Sequence, residues 1–191
     1  MSSWLQDVLV KRRAMLIAPF AFVGLVALSS QGSSDPGGVA QDVDIAEFDD
    51  QGQRLRTVRV PKVIKSAAEW KRLLSGQQFY VTRHKSTDTA YTGTYYLVKE
   101  PGLFGCICCD TALFRSEEKF DSNTGWPSFW APAAAENIRT STDTVLLQER
   151  VEVLCRRCDA HLGHVFNDGP EPSNLRYCIN ESSLRFGRRT A

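Results

Sequence analysis

Apolar and polar positions divide the chain into stretches of different character. Ala14 to Leu28, AMLIAPFAFVGLVAL, is apolar on every face and uncharged. Gln31 to Gln41, QGSSDPGGVAQ, is polar with Gly, Ser and Pro, the composition of a linker. Ile45–Phe48 and Leu55–Val60 then flank Asp49-Asp50-Gln51-Gly52, which predicts a β-hairpin. Ser66 with Glu69 three residues on is a capping box, opening a short helix with Trp70, Leu73 and Leu74 at helical spacing. Ser75-Gly76 ends that helix and can start a second over Gln77–Arg83. From Thr92 onward no long helical period follows. Thr94–Val98, Thr144–Leu147 and Val151–Leu154 favour short strands separated by turn residues. The fold class is therefore mainly β with short N-terminal helices.

Charge changes the reading of the first stretch. Lys11-Arg12-Arg13 precedes the apolar run, the next acidic residue is Asp35, and Ala27-Leu28-Ser29 supplies small residues at its end. A basic segment, an apolar core and a small-residue site form an export signal. The run is shorter than the ~20 residues that span a bilayer comfortably, and it contains Pro19 and Gly24. An uncleaved membrane anchor is the alternative. Arg12-Arg13 also fits a twin-arginine route, which would let a metal domain fold before meeting an oxidising compartment. Periplasmic localisation is the expectation.

Length and composition bound the remainder. With 191 residues, 42% hydrophobic and 24% charged, the chain suits one well-buried domain plus extra segments. A formal net charge of +1 gives no electrostatic reason to expect a nucleic-acid partner.

The six cysteines carry the most chemical information. Cys106/Cys109 and Cys155/Cys158 are two C-x-x-C knuckles, each following an apolar segment, and together they suit one closed tetrahedral Zn2+ site. Four thiolates leave no position for water, so such a zinc is structural. Two redox dithiols or two disulfides are the competing readings. Cys108 lies between two ligands and is expected to face away from the ion as a small filler.

Cys178 stands apart, in Leu175-Arg176-Tyr177-Cys178-Ile179-Asn180. On a strand, Arg176, Cys178 and Asn180 would project to one face, placing a guanidinium, a thiol and a carboxamide side by side. The arginine would favour the thiolate. An inert core cysteine fits the spacing as well. His161 and His164, two of only three histidines, add a group able to move protons near neutral pH.

Gly125-Trp126-Pro127-Ser128-Phe129, His161-Leu162-Gly163-His164-Val165-Phe166, Arg176-Tyr177-Cys178-Ile179-Asn180 and both knuckles, in this order, resemble the B-type methionine-R-sulfoxide reductases. The similarity runs from about Glu69 to Phe186. It implies two antiparallel β-sheets braced by a distal zinc. Together with the patterns above, the chain is expected to divide into 1–30 (export signal, or an uncleaved anchor), 31–44 (linker), 45–65 (hairpin extension) and 66–191 (reductase). The resemblance also implies that Cys178 attacks the sulfoxide sulfur and becomes a sulfenic acid. His161, His164 and Asn180 would handle the sulfoxide oxygen and its proton, Arg176 would flank the nucleophile, and Trp126 would receive the substrate methyl group. Substrates would be R-methionine sulfoxide, free or in proteins, with repair of oxidised proteins as the outcome. Many family members carry a resolving cysteine just before Gly-Trp-Pro-Ser-Phe, where this chain has Asn123-Thr124. An external thiol, such as a thioredoxin-like protein, is therefore expected to reduce Cys178. Two other functions, a non-enzymatic zinc module and a disulfide oxidoreductase using the knuckles, use fewer of these motifs. The only methionines, Met1 and Met15, lie in the signal, so a cleaved protein would carry none of the residue it repairs.

Overall fold

The computed structural model describes residues 41–143 and 150–189. The export signal and the strand expected at Thr144–Leu147 lie outside the described residues. The N-terminal hairpin pairs β1 (Asp42–Phe48) with β2 (Arg54–Pro61) in antiparallel register. Its first strand begins inside the 31–44 span expected to be linker. Asp42, Val43 and Asp44, paired with Pro61, Val60 and Arg59, extend β1 beyond the predicted strand.

Two helices follow, α1 (Ala67–Leu73) and α2 (Gly76–His84), each opened by a complete capping box, Ser66/Glu69 and Ser75/Gln78. Reciprocal side-chain bonds at each start satisfy amides that a helix of two turns otherwise leaves open. Trp70, Leu74 and Phe79 form their buried cluster, whereas Leu73 is exposed. At α1's end the backbone is already extended at Leu74, which turns that side chain, and not Leu73, into the cluster.

The remaining strands form a three-stranded and a six-stranded sheet, all antiparallel. The smaller has the order β11 (Leu184–Arg188), β3 (Gly102–Cys106), β4 (Ala112–Arg115). The larger has the order β5 (Lys119–Phe120), β6 (Ser128–Phe129), β10 (Arg176–Ile179), β9 (His161–Phe166), β8 (Arg150–Cys155), β7 (Ile138–Asp143). The expected architecture of two antiparallel sheets with short N-terminal helices is thus present, with the hairpin as an additional small sheet. Aromatic rings join the two sheets. Phe129 stacks on Phe114 at 4.4 Å between centroids and meets Phe104 edge-on at 5.1 Å, all three fully buried. Each such burial contributes about 1.5–3 kcal/mol.

Thr94–Val98 is not a strand. It folds into turns, with the Leu97 amide donating to Thr94 and the Val98 amide to Tyr95. The Glu181 carboxylate accepts the Thr94 and Tyr95 amides at 2.6 and 2.7 Å, so a side chain takes the donors that a ladder would have used.

Candidate active site and metal centre

Both knuckles have the same local geometry. In the first, the Asp110 amide donates to the Cys106 carbonyl at 2.9 Å; in the second, Asp159 donates to Cys155 at 3.0 Å. Asp110 and Asp159 take φ of 59° and 54°, a left-handed conformation that short polar side chains tolerate. The turns bring Cys106, Cys109, Cys155 and Cys158 together with all four Sγ atoms within 4.8 Å of one another. The closest approaches, 3.6 Å for Cys106–Cys158 and 3.5 Å for Cys109–Cys155, cross between the knuckles. A disulfide needs about 2.05 Å. A tetrahedron of thiolates around zinc separates the sulfurs by roughly 3.8 Å, so the set fits one zinc ion and not two local disulfides. The site joins the end of β3 to the end of β8, and hence one sheet to the other. Cys108 lies outside this set and packs against the Trp70 cluster.

The second site is a row of side chains across the large sheet. Cys178 on β10 stands opposite Ser128 on β6 and opposite His164 on β9; His164 in turn stands opposite Glu152 on β8. Directly paired residues share a face, with Cβ atoms about 4.5–5.5 Å apart. His161 and His164 are three residues apart and would fall on opposite faces of a regular strand. An irregularity in the β8–β9 pairing, where Val153 meets Gly163 but Leu154 meets His161, shifts the alternation by one. Their rings consequently lie 5.4 Å apart. Gly163, at φ 155°, makes this possible: a Cβ there would sit 2.0 Å from the Cys178 carbonyl oxygen.

The half-buried Cys178 thiol feels opposing influences. Burial pushes its pKa up; the Arg176 charge and hydrogen bonds from Thr124 and Arg176 pull it down, with burial prevailing. Arg176 is fixed by two 2.9 Å bonds to Asp168, and its guanidinium lies over the Phe166 ring at 4.5 Å. Thr124 is anchored through Ser122, whose hydroxyl lies 2.8 Å from Thr124 and 2.7 Å from Ser128.

His161 is 2% exposed, with Nδ1 2.8 Å from Glu152 Oε1; His164 Nε2 lies 2.8 Å from Asp143 Oδ2. Burial holds His161 below the usual histidine range although Glu152 pulls the other way. Trp126 donates its indole N–H to the Asp88 carbonyl at 3.0 Å, at the end of the loop leading into β6.

Asn180 departs from the strand expectation. β10 ends at Ile179, and Asn180 begins a 3-10 turn. Its Oδ1 accepts the Asp88 amide at 2.9 Å, while Nδ2 donates to Leu162 at 3.1 Å. The carboxamide thus clamps the segment that follows α2, whose Asp88 carbonyl holds the Trp126 indole, to β9 beside the histidines, and among the described residues its second Nδ2 hydrogen has no partner. Sequence reasoning missed Glu152, Asp143, Asp168 and Lys85. Glu152 had a visible trace, a carboxylate inside the apolar run Val151–Leu154.

A SelR domain model matches residues 74–188. The chain is 53% identical over 125 residues to Peptide methionine sulfoxide reductase MsrB of Hahella chejuensis, covering 65% of this chain and 90% of that protein. It is 48% identical over 135 residues to the protein of the same name from Synechococcus sp. (strain RCC307), covering 71% and 98%. It is also 52% identical over 118 residues to Peptide methionine sulfoxide reductase B1, chloroplastic, of Oryza sativa subsp. japonica, covering 61% and 55%.

Proposed function

The chain belongs to the methionine-R-sulfoxide reductases, enzymes that reduce oxidised methionine, and from that premise we propose that Cys178 is the nucleophile. The observation that carries this reading is the cross-strand row, which sets Cys178 between Ser128 and His164, with Arg176 and Thr124 placed to favour its thiolate. The Cys178 thiolate attacks the sulfoxide sulfur. His161 and His164, with the free Nδ2 hydrogen of Asn180, bind the oxygen and deliver the proton it needs to depart from sulfur. The net step moves one oxygen atom from substrate to Cys178, giving methionine and a sulfenic acid. Two external thiol equivalents then return Cys178 to the thiol, releasing water and a disulfide. A thioredoxin-like protein is the proposed donor, because Thr124 stands beside Cys178 where many relatives have a resolving cysteine. Trp126 offers an aromatic wall for the substrate methyl group, and methionine sulfoxide is accepted free or in proteins.

Zinc is the metal best suited to Cys106, Cys109, Cys155 and Cys158, and with all four thiolates engaged it serves shape alone. For location we propose export to the periplasm, supported by Lys11-Arg12-Arg13 and the uncharged run that follows. N-terminal sequencing of envelope protein tests it. A new N-terminus near Ser29 is expected; an intact Met1 in the membrane fraction would instead support the anchor. The enzymatic assignment is tested by feeding both epimers of methionine sulfoxide to the purified protein with dithiothreitol. Consumption of the R epimer, lost in Cys178→Ser, is expected. Consumption of the S epimer, or activity surviving that substitution, would refute it.

A further inference from the structure

The carboxylate of Glu152 is 1% exposed and belongs to none of the roles above. It arises from β8 in the same cross-strand row as Cys178, one position beyond His164. Both of its oxygens are engaged. Oε1 lies 2.8 Å from His161 Nδ1, and Oε2 accepts from Lys85 Nζ at 2.7 Å. Lys85 comes from outside the sheet, as the residue that closes α2 in a left-handed conformation with φ 56°. A buried carboxylate needs such partners to remain charged. Burial pushes the Glu152 carboxyl up, but the Lys85 ammonium and the His161 ring outweigh it and hold it below the usual range.

An ionised carboxylate only accepts hydrogen bonds. His161 must therefore carry its proton on Nδ1 when neutral, which leaves the Nε2 lone pair free. Among the described residues Nε2 is buried and has no hydrogen-bond partner. It is the nitrogen able to take up a proton and to give it to an oxygen.

We propose that Lys85 and Glu152 are positioning residues, in a Lys85–Glu152–His161 relay that fixes the tautomer of His161 and presents Nε2 as the proton carrier. The inference rests on the active-site reading above and adds the groups that set its proton donor. The relay also links helix α2 to the reaction: the ammonium at the helix end holds the carboxylate, and the carboxylate holds the ring.

The charged and titratable groups around His161 come from several elements. Glu152 and Lys85 touch the chain of bonds itself. His164 lies beside the ring and is held by Asp143, which also pairs with Arg150. Lys65, Arg83, His84 and Asp159 line the cavity that His161 faces on the helix side. Within this set, Glu152 favours the protonated ring, whereas Lys85 and His164 oppose it. Removing the two relay charges should therefore shift the titration of His161 in opposite directions.

The test uses the full-length zinc-loaded protein and the single-turnover rate of methionine formation, which reductant recycling does not affect. Glu152→Gln is expected to slow this rate about tenfold or more, with little change in substrate affinity, and to move the pH limb assigned to His161 toward acid. Lys85→Met is expected to slow it about threefold and move the same limb toward alkali, with Lys85→Arg restoring most of the rate. Lys85 is 60% exposed, so its variants keep the test decisive where Glu152→Gln does not fold. Nitrogen NMR of labelled histidine should find His161 of the wild type protonated at Nδ1 and bare at Nε2. A wild-type ring protonated at Nε2, Lys85 variants with wild-type rates, or limbs that move in the same direction would overturn the relay. A wild type that leaves the R epimer untouched would instead overturn the active-site reading, and the tautomer would not rescue it.

Discussion

At Cys178 the balance between burial and donated hydrogen bonds sets how much thiolate is present near neutral pH. The pull toward thiolate comes from Arg176 and Thr124, so removing either raises the thiol pKa further. Arg176→Met is expected to shift the pH midpoint of iodoacetamide alkylation of Cys178 toward alkali and to lower activity at neutral pH by about tenfold. Thr124→Val should shift it in the same direction by less. Unchanged midpoints would mean that neither group reaches the sulfur in solution. At this scale the sequence was informative about chemistry-bearing residue types and poor at their partners. Cys178, Arg176, the histidines and Trp126 all announce themselves by motif. Asp168, Asp143 and Lys85 do not, because their relevance arises only once distant segments meet. Asn180 was read as part of the strand, which instead stops one residue earlier, and its side chain turns to backbone groups of two other segments.

Among the elements, the strand β9 shows how a short irregularity makes a site. His161-Leu162-Gly163-His164 cannot put both rings on one face by simple alternation, and the pairing shift at Gly163 resolves it. Gly163→Ala is expected to destabilise the fold by about 3 kcal/mol in denaturant unfolding, because the new methyl group must displace the β10 backbone at Cys178. A stability within 0.5 kcal/mol of wild type, about the scatter of neutral surface changes, would refute the close approach. The knuckles were legible from spacing alone, since two C-x-x-C turns allow few other uses. Their consequence for architecture was also expected, as a zinc bracing two sheets; what the structure adds is which strands meet, the cysteine cluster joining the end of β3 to the end of β8. Cys155→Ser should abolish stoichiometric zinc and cost more than ~4 kcal/mol, the exceptional range that metal loss produces. Retention of zinc at full occupancy, measured by elemental analysis, would argue against the four-cysteine site. The missed turn at Thr94–Val98 has the opposite origin. Its strand-forming composition is overridden by one carboxylate, Glu181, from far along the chain.

For the molecule as a whole, the hairpin precedes the family match at residues 74–188 but belongs to the same compact unit as the matched residues. The hairpin is pinned to the body by Asn137, which is fully buried, accepts the Ala46 amide at 2.7 Å and donates to the Ala46 and Ala112 carbonyls. Asn137→Ala leaves those groups without their side-chain partner and should cost about 2–4 kcal/mol while sparing the rate at Cys178. A large loss of activity at unchanged stability would instead tie the hairpin to catalysis. The mainly β class and the separation of metal from chemistry could be inferred from pattern and spacing. The order of strands that makes a row of Ser128, Cys178, His164 and Glu152 could not, because register between distant strands leaves no local trace. The central claim is that Cys178 takes the substrate oxygen and has no internal thiol to resolve it. It is tested most directly by mixing reduced protein with R-methionine sulfoxide in the absence of reductant, then trapping with dimedone and measuring intact and peptide masses. The account predicts one methionine per chain and a dimedone adduct on Cys178. An intramolecular disulfide joining Cys178 to Cys108, or methionine formed with Cys178 unmodified, would contradict it.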